Sequence, residues 1–130
     1  MPLTIQIVTP EREVVVADDA ELVIARGVEG EVGIMPGHVP MLIALSSGPL
    51  TMVHAGGRRE VLAVDGGFLQ VSRDRVIVLA EYAVLPHEVD IGATEAEIAE
   101  LRQRILAEAE AEDLKRRLAR AEAAYAVARM

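Results

Sequence analysis

Three histidines are the side chains of this sequence best suited to hold a metal or to transfer a proton. They are His38, His54 and His87. No pair of them has the i, i+4 or His-x-His spacing that preorganises a metal site, but in a folded barrel they could converge with an acidic fourth ligand. Two interpretations stay open: a small β-barrel, metal-dependent enzyme that uses all three, or ordinary histidines of turns and edge strands.

Glycines are concentrated between residues 27 and 37, in a segment that also carries Glu31, Pro36 and His38. A phosphate-binding loop needs a strand–loop–helix context and usually a Lys after the glycines. This segment contains no Lys and leads towards another strand. The pattern favours tight turns in which Gly supplies a positive φ or a close backbone approach. The alternative is a loop that contacts another protein.

The nucleophilic and acidic side chains form no recognisable catalytic motif. Ser46, Ser47 and Ser72 lack the Gly-x-Ser-x-Gly pattern of a nucleophile elbow. The absence of Cys removes thiol nucleophiles, thiolate metal sites and disulfide bonds together. Carboxylates such as Asp65 and Asp74 fall in predicted turns, where the ordinary role of a charge is to be solvated. We therefore expect no catalytic residue, no cofactor and no metal.

A basic stretch stands out in an otherwise acidic chain, at Lys115, Arg116, Arg117 and Arg120. On a helix Arg120 shares a face with Arg116 and with Arg117. One interpretation is a solvated face with weak ion pairs to nearby acidic residues. The other is an electrostatic contact with an acidic patch on a partner protein.

Near Asp90 the composition changes from residues that favour strands to residues that favour helices. Residues 1–91 contain 23 Val and Ile but 8 Ala, whereas residues 92–130 contain 3 Val and Ile and 12 Ala. β-Branched side chains favour strands and Ala favours helices. Turn residues separate the apolar runs of the first part at intervals of about 8–12 residues. The sequence therefore predicts an all-β sandwich of about ten strands over residues 1–88, and an antiparallel two-helix hairpin over residues 89–130.

The hairpin prediction rests on two narrow apolar stripes with helical spacing. Thr94 with Glu97 resembles a capping box that would start the first helix, and the acidic residues 108–113 are predicted to form the turn. The stripes consist of Ile98, Leu101 and Ile105 and of Leu114, Leu118, Ala121 and Tyr125. Because the apolar contact between the two helices is small, the hairpin must also pack against the sandwich or a partner. A small free-energy gap between docked and extended forms is consistent with this.

Composition and charge exclude two further classes of function. Aromatic residues are only 2% of the chain and the net charge is -8, so the stacking platforms and basic grooves of nucleic-acid binders are missing. No apolar run approaches the roughly 20 residues of a membrane-spanning helix. The first residues lack the basic-then-apolar layout of a signal peptide, which predicts a cytoplasmic protein.

Two motifs and the order of elements resemble the ε subunit family of bacterial F-type ATP synthases. Residues 30–41 read Gly-Glu-Val-Gly-Ile-Met-Pro-Gly-His-Val-Pro-Met, similar to the family signature Gly-Glu-x-Gly-Ile-x-Pro-Gly-His-x-Pro. Residues 66–71 read Gly-Gly-Phe-Leu-Gln-Val, similar to the Gly-Gly-Phe-Leu-Glu-Val strand of that family. The resemblance covers essentially the whole chain.

The resemblance implies a non-catalytic subunit of the central stalk of a rotary motor. In that family the sandwich binds the γ subunit and sits on the c-ring, so that ion-driven rotation is coupled to ATP synthesis on the α and β subunits. The chain would then be peripheral to the cytoplasmic face of the bacterial membrane and take part in hydrogen ion transport. The loop expected to face the c-ring carries Glu31, Gly33, Pro36, Gly37 and His38.

The resemblance also implies a regulatory hairpin that can inhibit ATP hydrolysis, with Arg116, Arg117 and Arg120 placed to contact an acidic segment of the β subunit. Some family members bind ATP through an Ile/Leu-Asp-x-x-Arg-Ala motif. Here the corresponding stretch begins at Val89 and Asp90, and Ala93 stands where the motif has Arg. We therefore expect weak or absent ATP binding.

Overall fold

Strands come first along the chain and helices second. The structure, a computed structural model, describes residues 2–108 and 111–130. Within them the elements are β1 (Leu3–Val8), β2 (Glu13–Gly27), β3 (Gly30–Ile34), β4 (Met41–Ala44), β5 (Gly48–His54), β6 (Arg59–Asp65), β7 (Phe68–Ser72), β8 (Arg75–Leu79), β9 (Tyr82–Val84), α1 (Ile91–Ala107) and α2 (Glu112–Ala128). Short 3-10 turns cover Ala55–Gly57 and Pro86–Glu88.

The sandwich is one hydrogen-bonded sheet that folds over at β2. The strand order is β4-β7-β8-β1-β2-β5-β6-β9, and β3 also pairs with β2. β1 pairs with the first part of β2, whereas β3 and β5 pair with its last part, and the register is irregular near Ala20. This 15-residue strand thus belongs to both layers. The predicted all-β sandwich is confirmed, with nine described strands instead of about ten.

The core between the two layers follows from the alternation of apolar and polar residues. In β1 the side chains of Leu3, Ile5 and Ile7 are fully buried, and the residues between them are less so. Alternate residues of a strand point to opposite faces of the sheet. The core is completed by buried residues of both layers, including Val23, Ile34, Leu50, Met52, Leu62, Leu69, Val71, Val76 and Val78.

The predicted helical pair is present, and α2 covers the outer face of the sandwich at β6. Three consecutive residues of β6, Leu62, Ala63 and Val64, are buried, which a strand with one exposed face would not show. Leu62 and Val64 belong to the sandwich core, whereas Ala63 packs under Ala124 and Val127 of α2. α1 in turn packs on α2, and Leu101 and Leu114 lie in that seam. Neither helix is long and apolar enough to cross a membrane.

Two details of the predicted hairpin were wrong. α1 begins at Ile91, not at Thr94, because the Asp90 side chain accepts a hydrogen bond from Ala93 N at 3.0 Å and caps the helix. In the predicted turn at 108–113, residues 109 and 110 lie outside the described residues. Glu112 and Asp113 belong to the first turn of α2, where acidic side chains interact favourably with the helix dipole.

Candidate functional site

The loop between β3 and β4, residues 35–40, is a preformed turn at one end of the sandwich; we call it the contact loop. His38 N donates to Met35 O at 3.1 Å. Pro36 occupies the second position of this turn, and Gly37 occupies the third with φ 84°. Pro followed by a residue with positive φ is typical of a type II turn, which favours Gly at that place. Gly37 therefore has the turn role that the sequence suggested.

The contact loop is held by a residue that the sequence analysis had assigned to solvent. Gly37 N donates to the Asp74 Oδ1 atom at 2.9 Å. Asp74 lies in the turn between β7 and β8, and its backbone oxygen also accepts from Thr4 N at 2.8 Å. The interpretation of Asp74 as a merely solvated charge was wrong. No periodicity in the sequence could have linked two residues that are 37 positions apart.

Exposed apolar side chains extend from the contact loop along β4 to the turn between β2 and β3. The exposed fractions are 65% for Val28, 61% for Met35, 68% for Val39 and 66% for Leu42. Val28 belongs to the turn between β2 and β3, and its N–H donates to Ala44 O at 2.9 Å, which brings that turn beside β4. Clustered exposed apolar residues rimmed by polar ones mark interaction surfaces more often than isolated ones do. The face of the sandwich between the contact loop and the turn at Val28 is therefore suited to contact another protein.

Glu31 and Gly33 lie on β3, next to this surface. Glu31 pairs in register with Arg26 of β2, yet the two side chains form no ion pair within 4.0 Å among the residues described. Arg26 instead lies over Gly48, where an added Cβ would come within 3.0 Å of its Cδ atom. Glu31 is thus exposed and forms no ion pair with a described residue. Gly33 is exposed too.

The basic residues of α2 divide into two kinds. Arg120 Nε donates to Asp65 Oδ2 at 2.8 Å, and its guanidinium lies 4.9 Å from the centre of the Tyr82 ring. Burial raises the pKa of Tyr82, and the charge of Arg120 partly opposes this shift. Arg116 and Arg117 are exposed along the same groove and form no ion pair with a described residue.

A hydroxyl group of the sandwich adds a second polar contact to α2. Ser47 Oγ donates to Ala119 O at 3.0 Å. Together with the pair of Arg120 and Asp65 it joins the helix to the sandwich; we call these two contacts the clasp. The interpretation of Asp65 as a solvated turn residue was therefore wrong.

Glu88 fixes the point where the sandwich ends and the hairpin begins. Arg12 donates from both terminal nitrogens to the two Glu88 carboxylate oxygens, each at 2.7 Å. Leu85 N also donates to Glu88 at 2.9 Å. The hydrogen bonds from Arg12, followed by that from Leu85, lower the pKa of Glu88 to about 2. The chain is thus held to the turn between β1 and β2 up to Glu88.

The stretch that corresponds to the ATP motif has structural roles in this chain. Val89 packs against the small cluster under α2, and the Asp90 carboxylate caps α1. Ala93 is exposed and contributes its backbone N–H to that cap. Its side chain offers no charge that could bind a phosphate.

The histidines do not support the metal-enzyme alternative. His54 is buried, with Nδ1 at 2.7 Å from Asp19 Oδ1 and Nε2 at 3.1 Å from Glu60 Oε1. The two carboxylates approach opposite sides of the ring and cannot share a metal with it. His38 Nδ1 lies 2.8 Å from Val39 O, and His87 is exposed in the 3-10 turn. In residues 2–108 and 111–130 no three His, Asp or Glu side chains are grouped to hold a metal.

Polar pairs also join the two helices. Tyr125 donates its hydroxyl to Glu95 Oε1 at 2.8 Å, and Arg102 donates to Glu122 at 3.0 Å. The hydrogen bond to Glu95 raises the pKa of Tyr125. The predicted stripe residues Ile98, Leu101, Leu114 and Ala121 are buried. The sequence analysis missed Ala124 and Val127, which face the sandwich.

The fold is shared with subunits of mitochondrial ATP synthases. A chain of the Euglena gracilis enzyme, in an OSCP/F1/c-ring assembly, superimposes with a TM-score of 0.79 at 21% identity and covers 92% of this chain and 76% of that one. A chain from the central stalk and c-ring of the Tetrahymena thermophila enzyme gives a TM-score of 0.57 at 18% identity, covering 69% and 71%.

Sequence identity also relates the chain to bacterial ATP synthase epsilon chains. The chain is 43% identical over 124 residues to the ATP synthase epsilon chain of Thermobifida fusca, covering 92% of this chain and 86% of that protein. It is 45% identical over 94 residues to that of Brevibacillus brevis, covering 72% and 70%. The sequence model of the family described as "ATP synthase, Delta/Epsilon chain, beta-sandwich domain" matches residues 2–86. With the sandwich, the contact loop and the helical pair all in place, the chain belongs to the ATP synthase epsilon chain family.

Proposed function

We propose that this chain is a non-catalytic subunit of the central stalk of a bacterial F-type ATP synthase. In this role it couples ion-driven rotation of the c-ring, through the γ subunit, to ATP synthesis on the α and β subunits. The observation that carries the proposal is the contact loop: a hydrogen-bonded turn with the family signature, which itself exposes the apolar side chains of Met35 and Val39. The relatives named above are epsilon chains, and the structural neighbours come from F1/c-ring and central-stalk assemblies.

The surface that runs along β3 from Glu31 to the contact loop is the one proposed to meet the c-ring. Glu31, Gly33, Pro36, Gly37 and His38 form its polar and backbone part. Met35 and Val39 add apolar area, because both are more than half exposed. A partner that covers this region would bury apolar surface and pair with the Glu31 carboxylate. The chain would thereby be peripheral to the cytoplasmic face of the membrane, held there through the c-ring.

The helical hairpin is proposed to be the regulatory part. Residues 1–88 would form the anchored unit and residues 89–130 the movable one, since the pair of Arg12 and Glu88 fixes the chain just before α1. Arg116 and Arg117 are exposed and available to an acidic segment of the β subunit. Arg120 is already bound to Asp65, so a partner could use Arg120 only after the clasp opens. Inhibition of ATP hydrolysis by all three arginines therefore requires the hairpin to leave the sandwich.

Binding to the cognate γ subunit tests the proposal. Size exclusion and calorimetry with the full chain are expected to give a one-to-one complex. A variant with Glu31→Ala and His38→Ala should bind γ equally well but bind weakly to c-ring-containing complexes that lack this chain. Absence of binding to both partners by the unaltered chain would overturn the proposed function.

A further inference from the structure

The turn between β7 and β8 has an uncommon backbone conformation. Ser72 and Arg75 pair across a two-residue turn, and Arg73, its first residue, has φ 59°. Among the residues described, Arg73 is the one non-glycine residue with positive φ. Such a conformation persists where surrounding contacts determine it, and it can serve a function.

The turn aims the Asp74 carboxylate at the contact loop. The backbone of Asp74 is fixed on one side, because Thr4 N donates to Asp74 O at 2.8 Å. Its side chain reaches across to Gly37 N at 2.9 Å. Asp74 therefore ties the tip of the contact loop to the start of β1, whose side chains are buried in the core.

The contact loop has few other attachments. Of the hydrogen bonds formed in the described part of the chain by residues 35–40, those from His38 N and His38 Nδ1 stay within the loop. The bond from Gly37 N to Asp74 is the one that joins the loop to another element. Met35, Pro36, Gly37 and Val39 are all exposed. A hydrogen bond to an ionised acceptor is stronger than a neutral one, so this single bond has a large share in fixing the loop.

We propose that Asp74 is a positioning residue for partner binding: its carboxylate holds the Gly37 amide, and so presets the turn that presents Pro36 and His38. This inference rests on the proposed function, in which the contact loop meets the c-ring. A preset loop loses less conformational entropy on binding than a mobile one. Removing the carboxylate should therefore weaken binding even though Asp74 itself need not touch the partner.

Two substitutions at Asp74 and one matched control test the proposal. Asp74→Ala removes the acceptor, whereas Asp74→Asn keeps an acceptor oxygen without the charge. Asp18→Ala is the control, because Asp18 is an exposed residue of β2 and the substitution removes the same charge. Amide hydrogen exchange of Gly37 by NMR reports on the loop itself. Affinity for a purified, detergent-solubilised F1/c-ring complex that lacks this chain reports on binding.

In Asp74→Ala, Gly37 exchange should be faster and affinity should fall, each by about tenfold. Asp74→Asn should give intermediate values, and Asp18→Ala should match the unaltered chain. The proposal is overturned if Asp74→Ala leaves affinity unchanged, whether or not Gly37 exchange accelerates. If the unaltered chain itself does not bind the complex, the proposed function fails, which is a separate result from a failure of the variants. Equal melting temperatures of the three variants would show that a loss of affinity does not result from a loss of folding stability.

Discussion

Arg120 and Asp65 join the second helix to the edge of the sandwich, with Nε and Oδ2 2.8 Å apart. Arg120 is 42% exposed and Asp65 is 19% exposed, so the pair is neither fully solvated nor buried. Partly exposed pairs contribute about 1 kcal/mol or less to stability. The pair therefore favours the docked hairpin only slightly, which is what the proposed regulation by a partner requires.

Asp65→Ala should loosen the hairpin without unfolding the sandwich. We expect faster amide exchange throughout α2 and a greater potency in inhibiting ATP hydrolysis by F1. Asp18→Ala is a suitable control, because it removes the same charge from an exposed residue of β2. Exchange in α2 that is the same in both variants would contradict a role for the clasp in docking.

The pair of Arg12 and Glu88 should make stability depend on pH in the acidic range. The pKa of Glu88 is lowered from 4.5 to about 2 in the folded chain. A carboxyl group with a lowered folded-state pKa stabilises the fold above its unfolded pKa. This contribution is then lost as pH falls from about 4.5 towards 2. Salt should reduce it, because the pair is partly exposed.

Urea unfolding of the unaltered chain and of Glu88→Gln measures this effect. The difference in unfolding free energy should be largest at neutral pH and should shrink steadily below pH 4.5. A difference that stays constant from pH 7 down to about pH 2 would be inconsistent with an ionised pair at this position.

Gly67→Ala should destabilise the sandwich severely. Gly67 has φ 92°, and an added Cβ would come within 1.9 Å of Leu79 O and 2.8 Å of Ala80 Cα. Backbone atoms of the adjacent strand cannot move aside without disrupting the strand. We therefore expect a loss of about 3 kcal/mol or more in unfolding free energy.

Gly56→Ala is the matched control for Gly67→Ala. Gly56 has a nearly equal φ, 86°, but no heavy atom lies within 4 Å of its added Cβ. Its cost should be limited to backbone strain of about 1–2 kcal/mol. If chemical denaturation gives equal losses for the two variants, the crowding at Gly67 is not what matters.

ATP should bind weakly or not at all to this chain. Asp90 is engaged in capping α1, and Ala93 supplies no charge for a phosphate. Calorimetry with the full chain should show no micromolar affinity, and micromolar binding would refute the prediction. Ala93→Arg adds the missing cation at an exposed position and should leave the fold intact, which makes it a test of whether this one charge is sufficient.

The architecture could be predicted because its signals are local. The alternation of apolar and polar residues, with Leu3, Ile5 and Ile7 apolar, indicates a half-buried strand whatever its partner strands are. The change from Val and Ile to Ala near Asp90 marks the helical part in the same way. The start of α1 was misplaced because Asp90 and Thr94 are both good capping residues, and the sequence alone did not decide between them.

The contacts that position the candidate sites could not be predicted, because they join residues far apart in sequence. Gly37 with Asp74 and Arg120 with Asp65 are separated by 37 and 55 positions. The docking face of α2 was also missed. Ala occurs on exposed as well as buried helix faces, so the residue type of Ala124 did not identify it as a contact with the sandwich.

The small side chains between α2 and β6 would also affect the rate of the proposed detachment of the hairpin. Ala63, Ala124 and Val127 meet there, and none of them is long enough to interlock with the opposite surface. Withdrawing such a helix requires no side chain to leave a deep pocket, so packing adds little to the activation barrier. The electrostatic part of the barrier then lies in breaking the pair of Arg120 and Asp65. The rate constant for detachment should accordingly rise with ionic strength, while the intrinsic rate of refolding within each helix should not.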